Sequence, residues 1–367
     1  MIKKRILYII TSLGYGGAER LLLSYVKDLD KTKYEFFVCS LREKPDELKD
    51  EVSKYAAVQN LKVKGRFNLI VVFRLIKLFK KIKPDIIHTH LFQPRFYATV
   101  AYLFYRESII ITQKHNSVTF KKHNIFLPLE MISMLLNKKV IAISESVKRS
   151  LLKYELIPQK KIRVIPNGFD YQKFYKVRTA EIISEDKDIV IGTVCRLEEQ
   201  KGIIYLLKAM KIVLEKYPNA RLEIVGDGSL LEKLKEFSNK LGISNSVVFF
   251  GKFADVIPFY RRMNIFVLPS VYEGFGIVLL EAMAAGIPVV STNVDGIIEV
   301  VVNGESGILV KPKSGKALAD AIFKIIENPH LVSKLVEQGL NRSKLFDIKK
   351  HIGQIDNLYE ELLGVAS

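Results

Sequence analysis

The sequence predicts an α/β protein built from two doubly wound, Rossmann-like domains facing across a cleft, and three observations carry that expectation. Apolar runs of four to seven residues rich in Ile and Val recur, each followed by an amphipathic stretch of ten to sixteen residues, which is the rhythm of βαβ units feeding a parallel sheet. The chain has 367 residues, more than one hydrophobic core usually supports. The units also fall into two sets of six, separated by a polar segment at 171–187.

In the first set, strands are expected near 4–10, 34–40, 85–90, 108–113, 138–143 and 161–165, with helices near 17–30, 68–83, 93–105, 124–137 and 144–154. In the second, strands are expected near 188–194, 220–226, 247–250, 264–269, 287–291 and 307–310. Its helices are expected near 201–216, 228–242, 254–262, 275–286, 295–303 and 314–327. Helices at 330–345 and 348–364 close the chain. The domain boundaries that follow are 1–170, a linker at 171–187, 188–345, and a terminal segment 346–367 free to pack back on the first domain. The two longest stretches without a charge, 6–18 and 282–294, have 13 residues each, too few to span a bilayer. The basic-then-apolar start reads as a first strand rather than a secretory signal, because it runs into Gly14-Tyr15-Gly16-Gly17 without a cleavage site.

Composition narrows the function classes. At 49% apolar and 26% charged, the chain is neither disordered nor fibrous. Its two cysteines, Cys39 and Cys195, lie far apart with no Cys/His cluster, so neither disulfides nor zinc is expected and the chain reads as cytoplasmic. The net charge of +18 is uneven: residues 1–170 hold 32 Lys/Arg against 15 Asp/Glu, whereas the remainder is almost balanced. No acidic residue lies between Glu51 and Asp85, where nine basic ones do. The first domain should therefore face something anionic: nucleic acid, lipid or a phosphorylated metabolite.

In doubly wound sheets ligands bind at the strand-to-helix loops, and three such loops stand out. The first, 11–20, holds Gly14, Gly16 and Gly17 at a helix start, suited to an anion. It departs from the dinucleotide fingerprint at Glu19, and the second strand ends at Cys39-Ser40 without an acid, which argues against nicotinamide or flavin. The second, 192–202, brings Arg196 and Lys201 beside Gly202 at another helix start, a planar fork plus a mobile point charge suited to a diphosphate. The third, 269–288, places Glu273 in a glycine-rich loop mouth with Gly274, Phe275 and Gly276, and sets Glu281 within a helix among apolar residues. A carboxylate there needs a hydrogen-bonding partner, and a ligand hydroxyl is a natural one.

These residues, together with His88-Thr89-His90, His115-Asn116, Ser144-Glu145, Pro166-Asn167-Gly168 and Gly226-Asp227-Gly228, resemble the retaining family-4 glycosyltransferases of GT-B architecture, of the bacterial cell-surface polysaccharide type. The match is ordered along nearly the whole chain, and the Glu273-x7-Glu281 pair downstream of Arg196-x4-Lys201-Gly202 is its most specific part. The resemblance implies transfer of a sugar from a nucleotide-diphosphate sugar donor, with Arg196 and Lys201 on the diphosphate and the amides near Gly16 and Gly17 approaching the same charge. It gives Glu281 the ribose hydroxyls. Glu273, with the backbone at Gly274, Phe275 and Gly276, takes the transferred sugar, and His115 contacts that sugar. Ile297-Ile298, where a proline is common, and the basic, aromatic segment 92–126 depart from the pattern.

Retention is implied by the resemblance alone, and no metal or other cofactor is expected. An Asp-x-Asp at Asp28-Leu29-Asp30 ends a surface helix away from any strand-to-helix loop. His88 and His90 could bind zinc as an i, i+2 pair but lack a third ligand, so a structural or acceptor-side role is favoured. Competing readings are a GT-B-like sugar-nucleotide epimerase, a phosphorylase, or a basic nucleic-acid-binding protein; the last lacks a binding motif, and no nucleic-acid partner is expected. The acceptor is expected to be lipid-linked or a saccharide, met where the basic first domain docks on an anionic membrane, the inner face of the cell membrane. The segments motivating this are 68–83, with Arg74, Lys77 and Lys81 on one stripe, and 120–139, with lysine pairs around an apolar run.

Overall fold

The computed structural model describes residues 2–42, 46–63, 68–115, 127–177 and 188–364. The chain forms two compact units, residues 1–168 with 348–367, and residues 169–347. Among the described residues the first unit carries seven strands: β1 Lys4–Ile10, β2 Tyr34–Ser40, β3 Ala57–Asn60, β4 Ile86–His90, β5 Ile109–Lys114, β6 Lys139–Ala142 and β7 Ile162–Val164. They lie in the order β3-β2-β1-β4-β5-β6-β7 and every pairing is parallel, with Ile9 opposite Cys39 on one side and Thr89 on the other. The second unit carries β8 Val190–Val194, β9 Arg221–Val225, β10 Val247–Gly251, β11 Ile265–Leu268, β12 Val289–Thr292 and β13 Ile308–Val310, again all parallel, in the order β10-β9-β8-β11-β12-β13.

Central strands such as β4, β11 and β12 are buried along their whole length because helices cover both faces, which is why they read as continuous apolar or near-apolar runs. Strand order reverses between β1 and β4 in the first sheet and between β8 and β11 in the second. At such a switch point the neighbouring loops run to opposite faces and leave a crevice at the carboxyl edge.

Residues 57–60, 295–303 and 171–174 differ from the sequence expectation. Strand β3 was not expected: Ala57-Val58-Gln59-Asn60 is a half-polar edge strand with alternating exposure, and an edge buries too little to leave an apolar signature. Residues 295–303, expected as a helix, form turns, with Gly296 at φ +85. Residues 171–174, expected as linker, form a short helix, Tyr171–Phe174, in the second unit; Asp170 caps it at Lys173 N (3.1 Å), and Tyr171 and Phe174 are buried. Residues 178–187 of that linker lie outside the described residues, as do Asn116, Lys121, Lys122 and His123.

The last helix, Ile348–Leu363, belongs to the first unit. Ile352, Ile355, Leu358 and Tyr359 pack into the core beside β1 and β2, and Asp356 accepts hydrogen bonds from Lys33 (3.2 Å) and Tyr34 (2.7 Å). Gly168 makes that approach possible, since a Cβ there would stand 2.7 Å from His351 Cβ and 2.8 Å from Ile348 Cα. Among the described residues no helix is long and apolar enough to cross a membrane.

Candidate active site at the switch point

The loops after β8 and β11 flank the switch point of the second sheet, and they carry Arg196, Lys201 and Glu273. The β8 loop turns sharply at Gly202, φ +63, which caps the helix Ile203–Lys216; a Cβ there would collide with the carbonyl of Pro269. That contact and the bond from Val271 N to Gln200 O (2.8 Å) lock the two loops together. Gly226 and Gly228, after β9, fit under the same loop: Leu197 N donates to Asp227 O (2.9 Å), and a side chain at either glycine would strike the backbone of Cys195 or Leu197. The glycines of Gly226-Asp227-Gly228 thus serve close packing that holds Arg196 in an exposed position.

Glu273 is buried and satisfied within the protein. Its carboxylate pairs with the Lys201 ammonium and accepts from Gly274 N (3.1 Å) and Ser270 Oγ (3.4 Å). Thr292 Oγ1 in turn donates to Ser270 O (2.5 Å), tying the loop to the end of β12. Gly276, φ +87, caps the helix Ile277–Ala284, and neither it nor Gly202 is capped by a side chain, so two helix starts present amides at this crevice. Phe275 is buried edge-on against Phe346, so its ring belongs to the core and only its backbone lines the turn.

Glu281 sits one turn inside that helix and is 6% exposed. The sequence suggested a ligand hydroxyl as its partner; the structure supplies a protein hydroxyl, with Tyr260 donating to Glu281 Oε2 at 2.8 Å. Tyr260 lies on the neighbouring helix Ile257–Arg262, and no local pattern couples positions 21 apart.

In the first unit, Gly16 caps the helix Gly17–Asp28 without a side-chain cap, and Gly17 is exposed. The Glu19 carboxylate folds back onto Gly16 closely enough that a Cβ there would overlap it. This helix start therefore already has an acid over it, which weakens the expectation that it draws in a phosphate. Asp28-Leu29-Asp30 is where the sequence put it, at the helix end; Asp30 accepts from Thr32 N and Oγ1, both at 2.7 Å, and these bonds lower its pKa.

His88, His90 and His115 meet a fourth histidine that sequence reasoning missed, His351 of the last helix. His90 Nδ1 lies 3.2 Å from His115 Nε2, His88 Nδ1 lies 2.7 Å from the Tyr359 hydroxyl, and the His88 and His90 rings stack at 4.5 Å. The Pro166 carbonyl can only accept, so His351 Nδ1 carries a proton toward it (2.6 Å). The Tyr25 hydroxyl lies 2.8 Å from Gln113 Oε1 and 2.7 Å from His351 Nε2, and its single proton serves one of these two acceptors. Burial holds these imidazoles neutral: His88 falls to about 3, His115 and His351 to about 4, and His90 well below the usual range. Burial likewise raises the Cys39 and Cys195 thiols, to about 12 and about 11, so neither is a thiolate nucleophile near neutral pH.

Two parallel sheets, each with its loop constellation at the carboxyl edge, are the GT-B architecture. Family models agree over most of the chain: Glycosyltransferase Family 4 matches residues 15–173 and glycosyl transferases group 1 matches residues 178–342. The capsular polysaccharide biosynthesis glycosyltransferase CapM of Staphylococcus aureus is 32% identical over 284 residues, covering 74% of this chain and 75% of that protein. The Escherichia coli UDP-Gal:alpha-D-GlcNAc-diphosphoundecaprenol alpha-1,3-galactosyltransferase is 26% identical over 79% of this chain and 78% of its own. Among solved structures, HepE of Anabaena in complex with UDP and glucose superposes with a TM-score of 0.85 at 22% identity, covering 97% of this chain and 99% of that one. The chain belongs to the family-4 glycosyltransferases, and its activity is glycosyl transfer.

Proposed function

We propose that the protein transfers a sugar from a nucleotide-diphosphate sugar to a lipid-linked or polysaccharide acceptor, with retention of anomeric configuration and without a metal. The observation that carries this reading is the convergence of Arg196, Lys201 and Glu273 on two helix starts at one switch point. Breaking the bond to the sugar leaves negative charge on the diphosphate, and preorganised cations and helix dipoles are what stabilises it. The Lys201 ammonium has three donors, so it can hold Glu273 with one and turn the others to phosphate oxygens. Arg196, exposed on a braced loop, adds a planar two-point contact.

Glu273 then orients the transferred sugar through its hydroxyls, and Glu281, held by Tyr260, takes the ribose. His115, neutral and partly exposed, offers the sugar a hydrogen bond rather than a charge. Retention fits same-face attack in which a donor phosphate oxygen receives the acceptor proton. Asp28 and Asp30 stand at a helix end opposite the carboxyl edge of the sheet, with Asp30 engaged by Thr32, so that pair is not placed to hold a metal on the donor. The solved relative bound to UDP and glucose, and the relative named for a diphosphoundecaprenol substrate, lend support to the donor and acceptor classes. The excess of positive charge in residues 1–170 favours an anionic membrane as the place where that acceptor is met.

The test is a panel of UDP-, GDP- and ADP-sugars screened for binding by calorimetry, in buffer and in chelator. Tight binding of one class, lost in Arg196→Ala and insensitive to chelator, is expected. Binding of none would overturn the donor assignment. Turnover of the sugar nucleotide alone to an epimer, or with inorganic phosphate to a sugar phosphate, would favour an epimerase or a phosphorylase instead.

A further inference from the structure

The membrane reading leaves open which element meets the lipid, and the helix Ile70–Ile82 of the first unit supplies a specific answer that rests on that reading. Val71, Val72, Leu75, Leu78 and Phe79 bury one face of this helix. The other face is divided along its length. At the start, Leu69, Ile70 and Phe73 are 72%, 55% and 67% exposed; one to two turns later come Lys77, Lys80 and Lys81, all exposed. Positions 70, 73, 77 and 80 follow the three-and-four spacing of a single helical stripe. Arg74, which the sequence placed on this stripe, is tied through Nη1 to the Leu61 carbonyl (2.5 Å) and is not counted with it.

Packing on the sheet explains the buried face but not the exposed one. Single exposed apolar residues are ordinary, whereas three large ones together at a helix start, continued by lysines in a stretch with no acidic residue from 52 to 84, form a two-part surface. An apolar tip with a cationic shaft matches the boundary between acyl chains and anionic headgroups, and lysine stems reach along apolar surface to place their charge among phosphates. A helix that follows a strand of a parallel sheet begins at the carboxyl edge of that sheet. The tip therefore lies at the same rim as Gly16, Gly17 and His115.

We propose that Leu69, Ile70 and Phe73 insert into the acyl–headgroup boundary of an anionic bilayer while Lys77, Lys80 and Lys81 lie among its headgroups, which brings the carboxyl-edge loops of the first unit to a lipid-linked acceptor. The sequence contains no tryptophan, so Phe73→Trp introduces a single indole at the tip. In vesicles of phosphatidylcholine with phosphatidylglycerol, the indole should shift to the blue and be quenched by lipids brominated high on the acyl chain; in phosphatidylcholine alone it should do neither. L69S/I70S/F73S should lower vesicle affinity about tenfold or more. Changing Lys77, Lys80 and Lys81 together to Glu should abolish binding, with unchanged thermal melting in both variants.

If the wild-type protein sediments with anionic vesicles but the indole is unquenched and the serine variant binds like wild type, insertion is wrong and electrostatic attachment stands. Absence of wild-type binding to any vesicle would remove the membrane reading itself. Equal binding to neutral and anionic vesicles would overturn the cationic half of the proposal.

Discussion

The Tyr260 hydroxyl donates to Glu281 Oε2 at 2.8 Å, joining the helix Ile257–Arg262 to the helix Ile277–Ala284 through a carboxylate that is almost wholly buried. Tyr260→Phe removes that donor and leaves the phenyl packing in place. A drop in stability of about 1–3 kcal/mol is expected in denaturant titration, together with weaker nucleotide binding, because the carboxylate loses a fixed orientation. Unchanged stability and binding would show that the hydroxyl is dispensable to Glu281.

Arg196→Ala and Lys201→Ala should each slow transfer about 10²–10³-fold, the loss of about 2–4 kcal/mol of charge stabilisation at the leaving group. Lys201→Ala carries an extra signature, because it also strips the cation from buried Glu273 and should lower the melting temperature, whereas exposed Arg196→Ala should not. Glu281→Gln should chiefly weaken nucleotide affinity and Glu273→Gln chiefly lower turnover. Initial-rate kinetics on the donor found by the panel would separate the four.

Gly296→Ala tests the turn that replaced an expected helix. Gly296 holds φ +85, and a Cβ would stand 2.5 Å from Glu273 O and 2.7 Å from Gly274 C, which are backbone atoms that cannot yield locally. The backbone conformation alone costs about 1–2 kcal/mol, and the collision displaces the Glu273 loop. Loss of donor affinity with the fold retained by circular dichroism is the expected outcome.

The buried histidines predict acid sensitivity in the first unit. Burial holds His88, His115 and His351 neutral when folded, at about 3, about 4 and about 4, whereas in the unfolded chain each titrates near 6.5. The unfolded state therefore binds more protons, and stability is full above pH 6.5 and is lost as pH falls toward 4. Each histidine contributes a slope of about 1.4 kcal/mol per pH unit in that window. Denaturant titrations from pH 7.5 down to 4.5 should show a plateau above pH 6.5 and this slope below it, and His351→Asn should reduce the slope by about one proton.

Some of this protein was written in local pattern. Among the described residues, thirteen strands alternate with amphipathic stretches strongly enough that of these the half-polar edge strand β3 alone escaped, and Arg196, Lys201, Glu273 and the glycines around them stood out because strand-to-helix loops are where chemistry collects. Their ordered spacing also carried the family resemblance. What local pattern could not reach was any pairing across sequence distance. The ion pair of Lys201 with Glu273 spans 72 positions, the Tyr260–Glu281 bond 21, and the Tyr25–His351 contact 326. Helical and strand periodicities report which face of an element is buried, not what it is buried against, so these partners exist only once the sheet order has brought their loops and helices side by side. The same reason separates the two halves of the Ile70–Ile82 helix. Its amphipathic pattern was visible in the sequence, but which lysines stand exposed and that Arg74 is bound to Leu61 depended on the packed neighbour.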